Sequence, residues 1–145
     1  FLKKLGPEPL LDDFNLKYFA NKLKNKSMNI KTALMDNSLV VGVGNIYANE
    51  SLFDSNISPL CPSNKISEKQ ALKLISSIKK TLQKAIDLGG SSISDYVNAT
   101  GEFGGYQSNF RVYGRENEKC FNCNDSIKRI VQNGRSTFFC PKCQK

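Results

Sequence analysis

The sequence predicts a mostly α-helical protein, four helices followed by a small, cysteine-bearing β-hairpin. Three observations lead there. Apolar residues recur at three- and four-residue spacing through the front of the chain. Six of the ten glycines crowd between Gly89 and Gly114, separating that front from a short tail. Four of the five cysteines lie in the tail, in two pairs on either side of an Asn-Gly dipeptide.

The first helix is expected from a cap at Asp12 or Asp13 to about Lys24, burying Phe14, Leu16, Phe19 and Leu23. Ser27 is the expected cap of a second, shorter helix through Ile30, Leu34 and Met35. The run N-S-L-V-V-G-V-G-N, Asn37 to Asn45, is not helical in pattern. A third helix is expected to start with Asn45 as N-cap and to continue through Ile46, Leu52 and Phe53 to about Asp54. Pro59 and Pro62 mark a loop. Ser67 and Gln70 then form a capping box that opens the longest helix. Leu72, Ile75, Ile78, Leu82 and Ile86 define its apolar face, and Gly89-Gly90 ends it. In the tail, Phe110 to Tyr113 alternates like a strand. K-R-I-V-Q, Asn133-Gly134 and R-S-T-F-F read as a hairpin, because Asn-Gly supplies the two positive φ values of a type I′ turn.

With 145 residues, 39% apolar and 23% charged, the chain is long enough for one domain or one domain with an appendage. No apolar run approaches the roughly 20 residues of a membrane span, so no membrane partner is expected. Histidine is absent, which excludes His-based triads, His general bases and His metal ligands. Lys and Arg number 21 against 13 Asp and Glu, a net charge of +8. Residues 111–145 hold eight of those cations and three of the acids. Such a balance suits a polyanionic partner. The opening at Phe1 and the Pro-broken stretch L-G-P-E-P-L, Leu5 to Leu10, read as a linker, so the polypeptide is expected to be part of something longer.

Cys120-x2-Cys123 and Cys140-x2-Cys143 are separated by 16 residues. Each knuckle offers two thiolates, and the hairpin between them brings the four together, as tetrahedral Zn2+ requires. An iron–sulfur cluster takes the same ligand set, and two disulfides would use up the same thiols. Nothing indicates the oxidising compartment that disulfides need, and the spacing is that of a zinc ribbon. Four protein ligands leave no open position, so the single zinc is expected to be structural, supplying folding energy to a tail too short for a core. Cys61 stands alone and is expected to be a buried or loop thiol without function.

G-V-G-N, Gly42 to Asn45, ahead of a helix can present backbone N–H groups and a positive dipole end to an anion such as a phosphate. Lys31, on the preceding helix, and Lys26, just ahead of it, can reach the same backbone. A tight helix–helix turn with no ligand fits these residues equally well. Likewise Arg135 at a hairpin tip is, on its own, as easily a solvated turn residue.

The string L-M-D-N-S-L-V-V-G-V-G-N-I-Y-A-N-E-S-L-F, Leu34 to Phe53, resembles the helix–two-turn–helix signature of bacterial formamidopyrimidine-DNA glycosylases. So, in the same order, do L-G-P-E-P-L, G-G-S-S-I-S-D-Y (Gly89 to Tyr96), V-Y-G-R (Val112 to Arg115) and G-R-S-T-F-F-C-P-K-C-Q (Gly134 to Gln144). The resemblance implies an interdomain linker at 1–11, a helix–two-turn–helix DNA-binding domain at 12–114 with a lesion-recognition loop at about 89–109, and a zinc finger at 115–145. It implies excision of oxidised purines, 8-oxoguanine and formamidopyrimidines, followed by strand cleavage at the abasic site. The family's nucleophile is an N-terminal proline followed by a glutamate, in a domain that should precede Phe1. Pro7 and Glu8 belong to the linker and are not that pair, so the polypeptide alone is expected to bind DNA and not to catalyse.

Of the family's phosphate contacts, Lys31, Asn45 and the backbone of Gly44 carry over, with Lys26 as an addition. Arg135 matches the zinc-finger arginine that holds phosphates beside the lesion, to which the family also assigns proton donation in δ-elimination. Ser91, Ser92, Thr100 and Tyr106 fall in the loop that closes over the everted base. Glu50 matches a family position and is expected to support the glycine turn by accepting backbone N–H groups. The implied partner is double-stranded DNA containing damaged purines or abasic sites, with the N-terminal catalytic domain. The implied setting is the bacterial cytoplasm, associated with the nucleoid, as a monomer. Two alternatives remain: an endonuclease VIII-like glycosylase for oxidised pyrimidines, and a non-catalytic zinc-ribbon module. The lid G-G-S-S…G-E-F-G-G-Y favours the purine enzyme over the first; G-V-G-N-I-Y is left unexplained by the second.

Overall fold

The computed structural model describes residues 12, 14–40, 42–87 and 110–145, with the backbone alone at 85–87. Its helices are α1 (Leu16–Leu23), α2 (Ile30–Leu34), α3 (Asn45–Asp54) and α4 (Glu68–Asp87), with a 3-10 turn at Ser63–Lys65. The antiparallel hairpin of β1 (Lys128–Gln132) and β2 (Arg135–Phe139) follows. Helices and hairpin therefore fall in the predicted order. None of the described helices is long and apolar enough to cross a membrane.

Helix α3 is the hub. It packs against α2, α4 and β2 together, and Ile46 to Phe53 are all buried. One apolar cluster joins the four helices through Phe14, Phe19, Leu23, Ile30, Leu34, Leu52, Leu74 and Ile78. A smaller one, with Phe53, Val112, Ile127 and Phe138 around Cys120 and Cys140, lies beneath the hairpin. Phe53 carries the contact from the helical side into the second cluster.

The capping box holds: Gln70 N–H donates to Ser67 Oγ at 3.1 Å, and Ser67 N–H to Gln70 Oε1 at 2.9 Å. The hairpin register is also as read, with Gln132 opposite Arg135 and the turn at Asn133 (φ 51) and Gly134 (φ 77). Other expectations need correction. The first helix is capped by Asn15, whose side chain accepts from Tyr18 N–H, and not by Asp12, whose carbonyl receives the Asn15 amide. The second begins at an Asn29 cap rather than Ser27. Here Met28 and Ile30 are tied to the Cys61–Ser63 backbone, which keeps Asn29 extended. The third is capped by Gly44, because the Asn45 side chain is engaged elsewhere.

Leu72 is 54% exposed and does not belong to the core face of α4, where Ala71, Leu74, Ile75, Ile78 and Leu82 are buried. Phe110 to Tyr113 form a bend and turn, not a strand. The linker 1–11, Asp13, the Ile86 side chain, Gly89-Gly90 and the loop at 89–109 lie outside the described residues.

Candidate nucleic-acid interface and metal centre

The four tail cysteines converge. All their sulfur atoms lie within 4.8 Å of one another. Cys120 and Cys143 Sγ are 3.8 Å apart, Cys123 and Cys140 Sγ 3.4 Å. Zn–S bonds of about 2.3 Å in a tetrahedron place sulfurs about 3.8 Å apart, whereas a disulfide needs about 2.05 Å. The donor set therefore fits one structural Zn2+, and all five cysteines are free thiols. Each knuckle turns its own backbone onto its first sulfur: Asn122 N–H donates to Cys120 Sγ and Cys143 N–H to Cys140 Sγ, both at 3.4 Å. Asn124 closes the first turn at φ 66. Cys61 takes no part in this set; it is half-buried, with its thiol turned to the Pro62 carbonyl and its pKa raised by burial.

The finger does not hang free. Asn49 Oδ1 accepts Phe138 N–H at 2.6 Å, and Asn45 Nδ2 donates to Ser136 O at 3.1 Å. At the zinc end, Gln144 accepts Cys140 N–H at 2.8 Å and donates to Ile57 O at 3.0 Å. Near the hairpin tip, Gln132 donates to Pro59 O at 3.0 Å. Strand β2 is thus bonded along its length to α3, which sets where Arg135 stands.

Glu50, 3% exposed, accepts the N–H groups of Arg111, Val112 and Tyr113 at 2.8, 2.9 and 3.0 Å. It does support a turn as expected, but the turn at 111–113 that leads into the finger, not the glycine turn. That is why F-R-V-Y is not a strand: its N–H groups are consumed by one carboxylate. Arg111 continues the joint, donating to Asp54 at 2.7 Å, whose other oxygen takes the Ser77 hydroxyl at 2.9 Å. Burial opposes the Asp54 charge, yet the bonds from Arg111 and Ser77 outweigh it and hold its pKa below the usual carboxylate value. Arg115 donates to the Arg111 and Lys119 carbonyls and stacks on Phe121, 3.8 Å from the ring centroid.

Three of the expected phosphate contacts meet in one place. Lys31 is 1% exposed, and its ammonium donates to Asn45 Oδ1 and, at 3.4 Å, to Ser136 O. Burial and the nearby Arg135 charge push its pKa down from 10.5 to about 8. Lys31 and Arg135 line a cleft of about 170 Å³ with Thr32, Met35, Gln132 and Asn133. No carboxylate is among these described residues. Two cations held beside a cleft with no counter-charge favour an anion there.

Gly44 heads α3 with an ordinary φ of −78, no side-chain cap, and open space where a Cβ would stand. Gly42 takes the left-handed φ of 80. Lys26 is not drawn into this group; it pairs with Asp36 at 3.7 Å. The lesion-loop candidates Ser91, Ser92, Thr100 and Tyr106 lie outside the described residues. Asn49, Gln132, Gln144 and Arg111 were not singled out from sequence, where a lone amide or arginine carries no periodic or spacing signal.

The chain is similar in sequence and fold to known proteins. Residues 5–97 match the family described as formamidopyrimidine-DNA glycosylase H2TH domain, and residues 117–145 match the zinc finger found in FPG and IleRS. A formamidopyrimidine-DNA glycosylase of Acinetobacter baumannii (strain SDF) is 52% identical over 140 residues, 97% of this chain and 51% of that protein. One from Neisseria meningitidis is 46% identical over 144 residues, 99% of this chain and 52% of that protein. Among solved structures, the Thermus thermophilus protein superposes with a TM-score of 0.87 at 41% identity, covering 97% of this chain and 54% of that one. The Lactococcus lactis protein bound non-covalently to DNA containing an AP site gives 0.85 at 41% identity, covering 98% and 50%. The chain spans about half the length of the relatives it matches.

Proposed function

The chain belongs to the formamidopyrimidine-DNA glycosylase family, and on that premise we propose that it is the DNA-gripping half of an enzyme that excises oxidised purines and then cuts at the abasic site. The observation that carries this reading is the pair Lys31 and Arg135 at one carboxylate-free cleft, with Asn45 bonded to Lys31 and to the Ser136 carbonyl next to Arg135. In it, Lys31 and Arg135 neutralise backbone phosphates beside the lesion, and Gly44 offers backbone N–H at the positive end of α3. Asn45 adds its amide. Arg135 acts as a phosphate clamp, a role that its planar, bidentate guanidinium fits better than proton donation in δ-elimination. Lys26, paired with Asp36, takes no part. Residues 89–109, with Ser91, Ser92, Thr100 and Tyr106, form the segment that reads the flipped base.

The proposed organisation is a linker at 1–11, the DNA-binding domain at 12–114 and the zinc finger at 115–145, acting as a monomer on bacterial chromosomal DNA. Every proline nitrogen within these 145 residues is an amide, and a Schiff base with the sugar needs a free amine. The polypeptide of these residues alone therefore binds DNA without excising a base or cutting a strand, its partner being a domain that supplies the N-terminal proline and glutamate.

The test is binding of the chain to duplexes with and without an abasic-site analogue at several salt concentrations, with strand integrity read on a gel. Affinity that falls steeply with salt and an uncut strand support the reading. Binding indifferent to salt, or strand cleavage by the pure polypeptide, contradicts it.

A further inference from the structure

The outward face of α4 carries Lys69, Lys73, Lys80 and Lys84, all exposed or half-exposed where described. At 3.6 residues per turn these four fall within about 60° of one another around the helix, in a stripe about 22 Å long. No acid interrupts the stripe between 69 and 84; Asp87 follows in register at its C-terminal end. None of the four lysines forms an ion pair with a described residue. Lys73 donates only to the neutral Asn56, at 3.3 Å. Asp54, whose charge Lys80 feels, is already held by Arg111 and Ser77. Like charges at i,i+4, here 69 with 73 and 80 with 84, disfavour a helix.

The stripe is also separate from the phosphate cleft, whose lining includes none of the four lysines. On α3, Asn45 and Asn49 face β2, while Asp54, half a turn round from Asn45, receives Ser77 of α4. Helix α4 thus packs half a turn round α3 from Asn45, and its lysines lie opposite its own buried Leu74, Ile78 and Leu82, with Lys73 reaching Asn56, which donates to the Cys143 carbonyl of the finger. Duplex DNA has a persistence length of about 50 nm, so a segment seated at Lys31, Asn45 and Arg135 does not readily curl round to this face.

We propose that the lysine stripe of α4 is a second, sequence-independent binding surface for the phosphate backbone of a separate DNA duplex, letting the protein hold two segments at once and pass between them. This rests on the DNA-binding reading above. The occupant is fixed by charge complementarity: a stripe of this length lies along six or seven base pairs of backbone, and exposed lysines release counterions from it whatever the sequence.

The test is a chase. The chain is loaded on a short fluorescent duplex and displaced with rising concentrations of unlabelled duplex. With two surfaces, the loss rate climbs with chase concentration, because the competitor is captured before the first duplex leaves. The variant K69Q/K73Q/K80Q/K84Q, and K73Q/K80Q as a milder form, should lose this dependence while still holding the short duplex; Gln keeps the helix propensity of Lys. Asn45→Ala should do the reverse, weakening the short-duplex complex and leaving the dependence on chase in place. A native loss rate that ignores the chase, or a quadruple variant that keeps the dependence, overturns the proposal. Failure of the native chain to hold the short duplex at all overturns the DNA-binding reading itself.

Discussion

Asn49 accepts the backbone N–H of Phe138 at 2.6 Å, one helical turn from Asn45, which donates to the Ser136 carbonyl. Four residues of helix rise about 6 Å and two residues of strand about 6.6 Å. The two amides on α3 therefore match alternate residues of β2 and lock the finger in register. Arg135, next to Ser136, is carried to the cleft by that match.

Asn49→Ala should cost about 1–3 kcal/mol, because it leaves the Phe138 N–H buried without an acceptor. Denaturant unfolding measures the loss. Duplex affinity should fall as well, although Asn49 stands behind the proposed contact surface.

Lys31 makes the pH dependence specific. Its pKa in the fold is about 8, below the ordinary 10.5. Between those values the unfolded chain binds more protons than the folded one. Folding stability from this group therefore rises with pH from about 8 to 10.5, and the cost of the buried charge is fully present below 8. Phosphate favours the protonated amine, so DNA affinity should move the other way and fall above pH 8, by no more than about tenfold per pH unit for one proton. Titrated binding shows this, and Lys31→Met should flatten it.

Zinc removal should unfold residues from about 115 onward and spare the helices, since the four-helix cluster is built without the finger. Hydrogen exchange of the β1 and β2 amides after chelation reads it directly. A hairpin still protected without metal would contradict a structural zinc.

Glu50→Ala should cost at least about 1.5–3 kcal/mol, the net worth of one hydrogen bond to a charged group, because three N–H groups lose their acceptor. Glu50→Gln should recover part of that. The unfolding midpoints of the two variants give the comparison.

What was legible in the sequence follows from how local each signal is. Asn133-Gly134 between two strand-like runs fixed the hairpin, and Ser67 with Gln70 fixed the start of α4, because both depend on residues within a few positions. Four cysteines at knuckle spacing found the metal-binding set. The misses are tertiary. Phe110 to Tyr113 has strand alternation, but its N–H groups go to Glu50, some 60 residues earlier. Ser27 is a sound cap by type, yet pairing of Met28 and Asn29 with Pro62 and Ser63 delays the helix to Asn29. Asn49 and Gln144, which hold the finger on the body, give no signal until α3 and β2 are seen side by side.

The central claim is that Asn45 and Arg135, 90 residues apart in the chain, hold one phosphate backbone together. The most direct measurement is duplex affinity against salt for the native chain, Asn45→Ala, Arg135→Ala and the double variant. Each single substitution should weaken binding by about 1–3 kcal/mol whatever the sequence. Arg135→Ala should lower the salt slope by about one, and the double variant should depart from additivity, as contacts sharing a ligand do. Unchanged affinity in both single variants, at every salt concentration, would contradict the account.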